Sequence, residues 1–444
     1  MLNSKNKFMK KKIGNIPKAV NNSRLCLLAL CYCLVFSALG GCDNDETSVG
    51  QHDPRLPVTV SQVFPDSGKM TDPVIIHGNN FGTDKSKIKV LFGDKEAVIL
   101  TAENEHLYIL NPKQKSGKHT VKVVVDGKEG VAPQPFKYLI SASVYTVAGT
   151  GEEAVEDGDA LEAKFGMPTH LSIDDQGNLI VSDYQRWVRL VSVPERRVRT
   201  LLDIGDVNGS CFSLDYSMLY IGVMKTSRIA YTLQREANWI SSFITMDEEE
   251  MLTYTCDVAP LDNGDIIALT RDRYLGRISK STGEIKVLGV LNSQLFGTSV
   301  YFNMTYNPRD KKMYISSLST NAIFRFDPYQ ESLTDEDFEL FAGKPGLLGY
   351  MDGDALTEAA FNKPCQMGFD MEGNMFVADR GNHVIRMITP EGMVSTFAGS
   401  EMGDADGNPD EAKFNAPQGL AVDPDGLVYV AERVGRKIRC IAIQ

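Results

Sequence analysis

Short apolar segments alternate with turn-forming residues along most of this chain. Between Val58 and Leu100, β-branched and aromatic residues occupy alternate positions, and Gly, Pro, Asn and Asp separate the segments. This period of two, bounded by turn residues, is typical of strands in an all-β sandwich. Similar short apolar segments recur from Ser141 to the end of the chain. The pattern therefore predicts an all-β protein with two parts.

The first 41 residues do not follow this pattern. They contain seven Lys or Arg residues and no acid, followed by an apolar run from Leu25 to Gly41 that is slightly short for a membrane span. The run ends at Leu39-Gly40-Gly41-Cys42, which resembles a bacterial lipoprotein signal. The resemblance implies that residues 1–41 are removed and that Cys42 carries the lipid. The alternative, a transmembrane anchor, is disfavoured because polar chain begins directly after Cys42.

An acidic run follows the lipidation position. Asp43, Asn44, Asp45 and Glu46 resemble the surface-export signal of lipoproteins in gut-type Gram-negative bacteria. The resemblance implies a protein attached to the outer membrane by its lipid and facing outside the cell. A solvated tether over residues 42–56 explains the same residues, and both interpretations can hold. Three acyl chains are sufficient for stable anchoring.

The charge balance restricts the partners. Seven of the 46 basic residues and none of the 58 acidic residues lie in the first 41 positions, so the remaining chain has a net charge of −19. Proteins that bind nucleic acid need a basic face, so nucleic acid is not an expected partner. A polyanionic ligand is also disfavoured unless the protein has a local basic patch.

Four cysteines remain after the lipidation position: Cys211, Cys256, Cys365 and Cys440. They show no Cys-x-x-Cys spacing, so a zinc site is not expected. Disulfides are chemically allowed outside the inner membrane, but scattered single cysteines are better explained as small buried apolar residues. No cofactor is predicted from these residues.

Specific residues between 57 and 140 carry a family resemblance. They are Pro65, Gly68, the Ile-His-Gly-Asn-Asn-Phe-Gly run from Ile76 to Gly82, Val90 to Asp94, and Ser116 to Gly127. Together they resemble an IPT/TIG domain, which has an immunoglobulin-like fold. The resemblance implies a sandwich that serves as a spacer, and the sequence shows no ligand site in it.

The rest of the chain, residues 141–444, contains an internal repeat. Phe165 to Val191, Phe361 to Ile388 and Phe414 to Ile441 each contain Phe, Pro three residues later, Asp-x-x-Gly, a short apolar strand, an acid and Arg. This unit resembles the NHL repeat, a four-stranded blade of a β-propeller. Weaker copies occur in between, where three residues are assigned to the Asp position of the motif: Asp215, Asp262 and Asn307. The resemblance implies six blades.

The ends of the repeat region predict how the propeller closes. The chain stops after the third strand of the last blade, while a strand of the fourth type, Val144 to Gly149, precedes the first blade. Pairing this strand with Ile438 to Ile443 would close the ring and remove both free edges. The predicted fold is thus an immunoglobulin-like sandwich followed by a six-bladed NHL-type propeller closed by an N-terminal strand.

An acidic phrase recurs three times, at Asp157 to Phe165, Asp352 to Phe361 and Asp404 to Phe414. Each copy follows the last strand of one blade and precedes the first strand of the next, so it is interpreted as the crossover, with its Ala and Phe filling the seam. Calcium is the alternative ligand for these carboxylates, although a full EF-type loop is absent from the sequence. The repeated pairs Asp183/Arg189 and Asp379/Arg386 are interpreted as structural ion pairs.

The loops between the second and third strands of each blade should surround the mouth of the central channel. Aromatic rings there can stack on sugar faces, and Arg or Asn can bind hydroxyl groups. For each residue alone, ordinary loop surface or packing between blades is the alternative. The candidate ligand-binding residues are His170, Tyr184, Arg186, Trp187, Arg273, Tyr274, Arg380, Asn382 and His383.

The combination resembles accessory lipoproteins of polysaccharide-utilisation systems. That resemblance implies binding of extracellular glycan for an outer-membrane import complex. A glycan lyase or hydrolase, or a protein–protein scaffold, is the alternative. The propeller contains two histidines, His170 and His383, too few for the several-histidine zinc site of some propeller lyases, and the sequence shows no nucleophile elbow or phosphate loop. Binding is therefore favoured over catalysis.

Overall fold

The computed structural model describes residues 51–443 except 70, 113, 115–116, 140–141, 184–185, 225–227, 237, 246–251, 253 and 299–300. Strands dominate the described part, which confirms the all-β prediction. It also contains one α-helix, α1 (Ser293–Phe296), and three single 3-10 turns, Lys85–Lys87, Asp335–Asp337 and Arg380–Asn382. The signal segment and Cys42 lie outside the described residues. Among the residues that are described, no helix has the length and apolar character needed to cross a membrane.

The N-terminal domain consists of short strands that form three sheets. The strands are β1 (Thr59–Phe64), β2 (Ser67–Gly68), β3 (Pro73–Asn79), β4 (Ile88–Phe92), β5 (Lys95–Glu96), β6 (Val98–Ala102), β7 (His106–Leu110), β8 (Gly117–His119), β9 (Val121–Val125), β10 (Lys128–Val131) and β11 (Phe136–Tyr138). The sheet orders are β1-β3-β7-β6, β10-β9-β4-β5 and β2-β11-β8. Alternate residues such as Ile76, Phe92 and Val123 are buried in one apolar cluster shared by the sheets, which gives a sandwich core.

Six further sheets follow. Their strands are β12 (Ala142–Ala148), β13 (Gly158–Asp159), β14 (Pro168–Ile173), β15 (Asn178–Asp183), β16 (Trp187–Ser192), β17 (Arg197–Asp203), β18 (Val207–Phe212), β19 (Met218–Val223), β20 (Arg228–Gln234), β21 (Ile240–Thr245), β22 (Thr255–Pro260), β23 (Ile266–Thr270), β24 (Tyr274–Ile278), β25 (Ile285–Val290), β26 (Phe302–Asn307), β27 (Lys312–Ser317), β28 (Ala322–Phe326), β29 (Glu339–Ala342), β30 (Gly353–Asp354), β31 (Pro364–Phe369), β32 (Met375–Asp379), β33 (Val384–Ile388), β34 (Met393–Ala398), β35 (Pro417–Val422), β36 (Val428–Glu432) and β37 (Lys437–Ile443).

Each sheet is built around four antiparallel strands. Sheets 1 to 5 contain β13–β17, β18–β21, β22–β25, β26–β29 and β30–β34, and sheet 6 contains β35–β37 with β12. The first long strands of neighbouring sheets contact one another in the order β14, β18, β22, β26, β31, β35 and again β14. In sheet 6, β12 is antiparallel to β37, with Val144 opposite Ile441 and Tyr145 opposite Cys440. The N-terminal strand therefore lies beside the partner predicted for it.

The repeat register in sheets 2 and 3 differs from the prediction. In sheet 1 the carboxylate of Asp174 accepts a hydrogen bond from the N–H of Asn178, four residues later (2.8 Å). In sheet 2 the hydroxyl of Ser213 accepts the corresponding bond from the N–H five residues later (3.0 Å). In sheet 3 Leu261 donates its N–H to the carbonyl four residues later (2.8 Å), again as Asp174 does (3.0 Å). Ser213 and Leu261 therefore occupy the position of Asp174 in sheets 2 and 3. The predicted residues Asp215 and Asp262 lie two residues and one residue further along, because neither Ser213 nor Leu261 has the acid that marks the motif.

A buried arginine joins each acidic crossover phrase to its sheet. In sheet 5, Arg386 is fully buried; its Nη1 donates to Asp379 Oδ2 at 3.1 Å and its Nη2 to Asp352 Oδ1 at 2.6 Å. The guanidinium carbon lies 5.1 Å from the centroid of the Phe361 ring. The crossover phrase is thus attached by ion pairs and ring packing, which confirms the structural interpretation of the Asp379/Arg386 pair.

The same arrangement occurs in sheets 1 and 6. Arg189 pairs with Asp183 at 3.1 Å and with Asp157 at 2.8 Å. Arg439 pairs with Glu432 at 3.3 Å and with the crossover residue Asp406. The seam residues Phe165, Phe361 and Phe414 are all fully buried. Crossover carboxylates in three copies therefore bind arginine, which supports the scaffold interpretation of the acidic phrase over the calcium alternative.

Burial affects the acids of these pairs. Desolvation raises the pKa of Asp379 to about 6 and that of Glu432 to about 7, although hydrogen bonds and the neighbouring arginines act in the opposite direction. The pKa of Asp183 is also raised by burial. Cys211, Cys256, Cys365 and Cys440 are free and buried, as predicted.

Candidate functional site

A cavity of about 400 Å³ lies at the end of the sheets where the first strands begin and the second strands finish. We call it the mouth cavity. Thr169, Val207 and Gln418 come from β14, β18 and β35, while Arg380 and Arg433 directly follow β32 and β36. The start of one antiparallel strand lies beside the end of the next, so these residues lie at the same end of their sheets. The complete lining is Thr169, Asp206, Val207, Asn208, Met224, Tyr301, Leu318, Arg380, Gln418 and Arg433.

Polar and aromatic side chains share the mouth cavity. Arg380 donates from Nη1 to Oε1 of Gln418 at 2.9 Å, which links sheets 5 and 6 across the cavity wall. Tyr301 is 41% exposed, so a bound molecule could reach its ring. Asn208 is mostly buried, and its amide nitrogen lies 3.8 Å from the sulfur of Met224. The volume falls within the range typical of small-ligand pockets, and the lining combines hydroxyl-binding groups with one reachable aromatic ring.

The two arginines act on the same part of the protein. Burial raises the pKa of the Cys365 thiol to about 11, and the positive charges of Arg380 and Arg433 both oppose that increase, as does Lys363. Cys365 is the second residue of β31 and is fully buried. The loops of sheets 5 and 6 thus contribute two arginines to the cavity lining in a protein that is acidic as a whole.

A second cavity, of about 470 Å³, lies along the inner strands on the side away from the mouth cavity. We call it the lower cavity. Its walls are mainly apolar, with Ile173, Phe212, Tyr306 and Phe369 among them, and it includes His170. His170 was predicted to lie near the mouth, but it is only 2% exposed and lies within the ring of inner strands.

His170 belongs to a belt of polar side chains between the sheets. Its Nδ1 accepts a hydrogen bond from the N–H of Ser210 at 3.3 Å and lies 3.4 Å from the Ser210 hydroxyl. Its Nε2 is 3.5 Å from Oδ1 of Asp257, whose other oxygen accepts from the N–H of Met304 at 2.6 Å. The belt thus joins sheets 1, 2, 3 and 4 through buried polar contacts.

Gln366 extends the belt to sheets 5 and 6. Its Oε1 accepts hydrogen bonds from the N–H groups of Leu171 and Leu420, both at 2.9 Å. Its Nε2 donates to the carbonyl of Leu171 at 2.6 Å. One side chain therefore satisfies backbone groups of two neighbouring sheets, which stabilises the ring of inner strands.

Several predicted site residues interact mainly within their own surroundings. Arg186 donates to Asp203 at 2.6 Å and lies over the ring of Trp187 at 5.7 Å. Arg273 donates to the carbonyl of Gly297 at 3.2 Å. These contacts attach loops to the sheets. Tyr184 lies outside the described residues.

Of the four remaining predicted residues, three do not line the mouth cavity and one does. Tyr274 packs against an apolar cluster formed by sheets 2 and 3. Asn382 donates to Asp379 and to a backbone carbonyl, both at 2.8 Å. His383 adopts a left-handed backbone conformation and accepts the N–H of Ala416 at 3.1 Å; burial lowers its pKa. Arg380 is the predicted residue that lines the mouth cavity.

Sequence reasoning missed most of the cavity lining. Thr169 and Gln418 directly follow the Pro of the repeat motif, Pro168 and Pro417. The repeat of sheet 5 has Cys365 at the same position. A comparison of the aligned repeats at this position would have shown that it varies while the Pro does not. Tyr301 precedes a sheet without the Phe and Pro of the motif, so no repeat signal indicated it.

The comparisons with known proteins agree with the two-part architecture. Residues 57–138 match the family model described as IPT/TIG domain, so this part of the chain is an IPT/TIG domain. NHL repeat-containing protein 2 of Gallus gallus is 32% identical over 93 residues, covering 20% of this chain and 13% of that protein. Protein SUPPRESSOR OF QUENCHING 1, chloroplastic, of Arabidopsis thaliana is 23% identical over 308 residues, covering 67% and 27%. The chain thus spans about a quarter or less of the length of these relatives.

Solved structures match over more of the chain. A protein of unknown function from Bacteroides thetaiotaomicron VPI-5482 is 28% identical with a TM-score of 0.72, covering 89% of this chain and 100% of its own. An auxiliary nutrient binding protein from the same organism is 25% identical with a TM-score of 0.60, covering 89% and 99%. Another from Bacteroides ovatus ATCC 8483, at 22% identity and a TM-score of 0.62, covers 89% and 100% and shows the fold alone. The chain therefore combines an IPT/TIG domain with a propeller-like region of NHL-type repeats, and it is similar to these Bacteroides proteins.

Proposed function

We propose that this chain is a surface lipoprotein whose propeller binds extracellular glycan at the mouth cavity. The six sheets would be the blades of one closed ring, with β12 completing sheet 6. The cyclic order of contacts between inner strands and the pairing of β12 with β37 support this arrangement. The similarity to a Bacteroides protein named as an auxiliary nutrient binding protein supports nutrient binding as the general role.

The proposal includes the attachment and the partners. Cys42 would carry the lipid in the outer membrane, the acidic residues after it would direct the protein to the cell surface, and the IPT/TIG domain would act as a spacer. Bound glycan would then be passed to an outer-membrane import complex. These parts rest on the sequence of residues 1–56 and on the resemblance to accessory lipoproteins of polysaccharide-utilisation systems.

The single observation that carries the proposal is the composition of the mouth cavity. A half-exposed tyrosine, Tyr301, lies in one cavity with Asn208, Arg380 and Gln418. Sugars present both apolar C–H faces and hydroxyl groups, so a ring for stacking beside amide and guanidinium groups suits them.

The test uses the lipid-free protein and a panel of polysaccharides. Affinity electrophoresis identifies a responsive glycan, and calorimetry then compares wild type with Tyr301→Ala. We expect binding about tenfold weaker, as for truncated hot-spot residues. Phe64→Ala, which changes an exposed aromatic ring of the IPT/TIG domain, should bind like wild type. Unchanged binding by Tyr301→Ala would place the site elsewhere, and a panel without any response would favour the protein–protein scaffold.

One observation favours an enzyme as the second candidate. Ser210, His170 and Asp257 follow the order hydroxyl, imidazole and carboxylate, with separations of 3.4 and 3.5 Å. Ser210 and His170 line the lower cavity, and Asp257 is fully buried. A nucleophile, a base and an orienting acid form such a series in hydrolases. Product analysis after prolonged incubation with the responsive glycan distinguishes the candidates: turnover that is lost in Ser210→Ala would establish the enzyme, whereas intact glycan supports binding.

A further inference from the structure

The mouth cavity has an excess of positive charge in an acidic protein. Its lining contains two arginines, Arg380 and Arg433, and one carboxylate, Asp206. The chain that follows the signal segment has a net charge of −19. A ligand site lined by two guanidinium groups against this acidic background can select for charge as well as for shape.

Both arginines stand on rigid supports. Arg380 directly follows Asp379 and Arg433 directly follows Glu432, the acids that are held by buried arginines in sheets 5 and 6. The N–H of Arg433 also donates to the carbonyl of Ala416 at 2.9 Å. The two side chains therefore leave equivalent positions of adjacent sheets, and their backbone is fixed before a ligand arrives.

The orientation of Arg380 is fixed as well. Its Nη1 is held by Oε1 of Gln418 at 2.9 Å, and Gln418 is mostly buried. Arg433 lines the same cavity from the equivalent position of sheet 6. A guanidinium group held in one orientation presents its N–H groups as a planar fork, which matches a carboxylate better than it matches a neutral hydroxyl group.

We propose that the mouth cavity selects carboxylated sugars, that is, glycans containing uronic acid. The carboxylate would bind the arginine pair, and Tyr301 would stack on the same or the adjacent sugar ring. This inference rests on the proposed glycan binding and specifies its ligand class. It also identifies Arg380 and Arg433 as specificity-determining residues, through a local basic patch that the overall charge does not reveal.

The experiment compares three glycans by calorimetry with the lipid-free protein: polygalacturonate, the same polymer after reduction of its carboxyl groups, and dextran sulfate as a sulfated chain. We expect polygalacturonate to bind at least about tenfold more tightly than its reduced form, since a hydrogen bond to a charged group is worth at least that factor. Its affinity should fall as sodium chloride is raised, because salt screens exposed charges.

Variants separate charge from geometry. Arg380→Gln and Arg433→Gln should each weaken polygalacturonate binding about tenfold or more, and should weaken binding of the reduced polymer by a clearly smaller factor. Arg380→Lys keeps the charge and loses the fork, so it should recover only part of the affinity. Arg197→Gln removes an exposed arginine of an outer strand that lies 3.6 Å from Asp159 and should have no effect.

The outcomes distinguish this inference from the proposed function. Equal binding of the reduced polymer and polygalacturonate, still sensitive to Tyr301→Ala, would overturn the carboxylate preference and leave glycan binding intact. Tighter binding of dextran sulfate than of polygalacturonate, or full affinity in both Gln variants, would also overturn it. Binding of none of the three, together with a neutral glycan found in the wider panel, would refute the inference alone, whereas no response to any glycan would refute both.

Discussion

Replacing Arg386 by Met should destabilise the propeller-like region by about 3–5 kcal/mol, the usual cost of removing one partner from a buried ion pair. Met retains much of the aliphatic volume but no charge, so Asp379 loses a donor at 3.1 Å while it remains fully buried. The carbonyls of Met351 and Ala360 also lose donors, at 2.6 and 3.0 Å.

Urea denaturation followed by tryptophan fluorescence measures this effect in the relevant region. The chain has two tryptophans, Trp187 and Trp239, and both lie in sheets 1 and 2 or their turns. Fluorescence therefore reports the propeller-like region and not the IPT/TIG domain, which avoids mixing two unfolding transitions. The midpoint and slope give the free energy of unfolding.

A matched control and a rescue test the mechanism. Asp352→Asn changes the other partner of Arg386, whose side chain is 52% exposed, and should cost less than about 1 kcal/mol. The double variant Arg386→Met/Asp379→Asn removes the unpaired charge and should recover about 1 kcal/mol or more of the loss. If Arg386→Met unfolds within about 1 kcal/mol of wild type, or if the double variant loses more than the single one, the buried pair does not stabilise the sheet as argued.

Two other predictions rest on particular contacts, and a third rests on the lipidation position in the sequence. The pKa of Glu432 is raised from an ordinary 4.5 to about 7, so between these values the folded state binds more protons than the unfolded state. Wild type should therefore lose stability relative to Glu432→Gln as the pH rises from 4.5 to 7. A difference in unfolding free energy that stays constant over this range would contradict the prediction. Thr146→Pro removes an N–H that donates to Asp406 at 3.1 Å and should expose β37 to faster amide hydrogen exchange, while exchange in sheet 3 stays unchanged. Cys42→Ala should abolish incorporation of radiolabelled palmitate and release the protein from membranes; continued labelling would show that the lipid is attached elsewhere.

The repeated parts of the fold were predictable from the sequence because they recur. Arg189 and Arg386 follow the acids Asp183 and Asp379 by six and seven residues, and this recurrence in two copies predicted structural ion pairs. Sheets 2 and 3 lack the motif, and there the register was wrong: Ser213 replaces an acid in the turn, since a hydroxyl can accept the same backbone hydrogen bond. Sheets 2 and 3 keep the strand order of the other sheets although the motif is missing from them, so a search for the motif could not give their register.

The site was less predictable, for a physical reason. A loop position indicates which face a residue lies on but not the direction of its side chain. Arg186 and Arg380 occupy comparable loops; the first pairs with Asp203 and the second lines the cavity, because Gln418 provides an acceptor across the next sheet. Tyr301 required knowledge of where sheet 4 begins. The orientation of each arginine therefore depends on an acceptor that lies 17 or 38 residues away in the sequence.

The buried pairs connect stability to the candidate site. Asp379 is the last residue of β32, and Arg380 begins the 3-10 turn that carries it into the mouth cavity. Asp379 also accepts from Asn382, which holds the end of that turn. Loss of the charge on Arg386 would therefore loosen both ends of the turn, and the orientation of the Arg380 guanidinium with them. Because a binding group that must be reordered loses affinity, Arg386→Met should weaken binding of a responsive glycan even where the variant is fully folded.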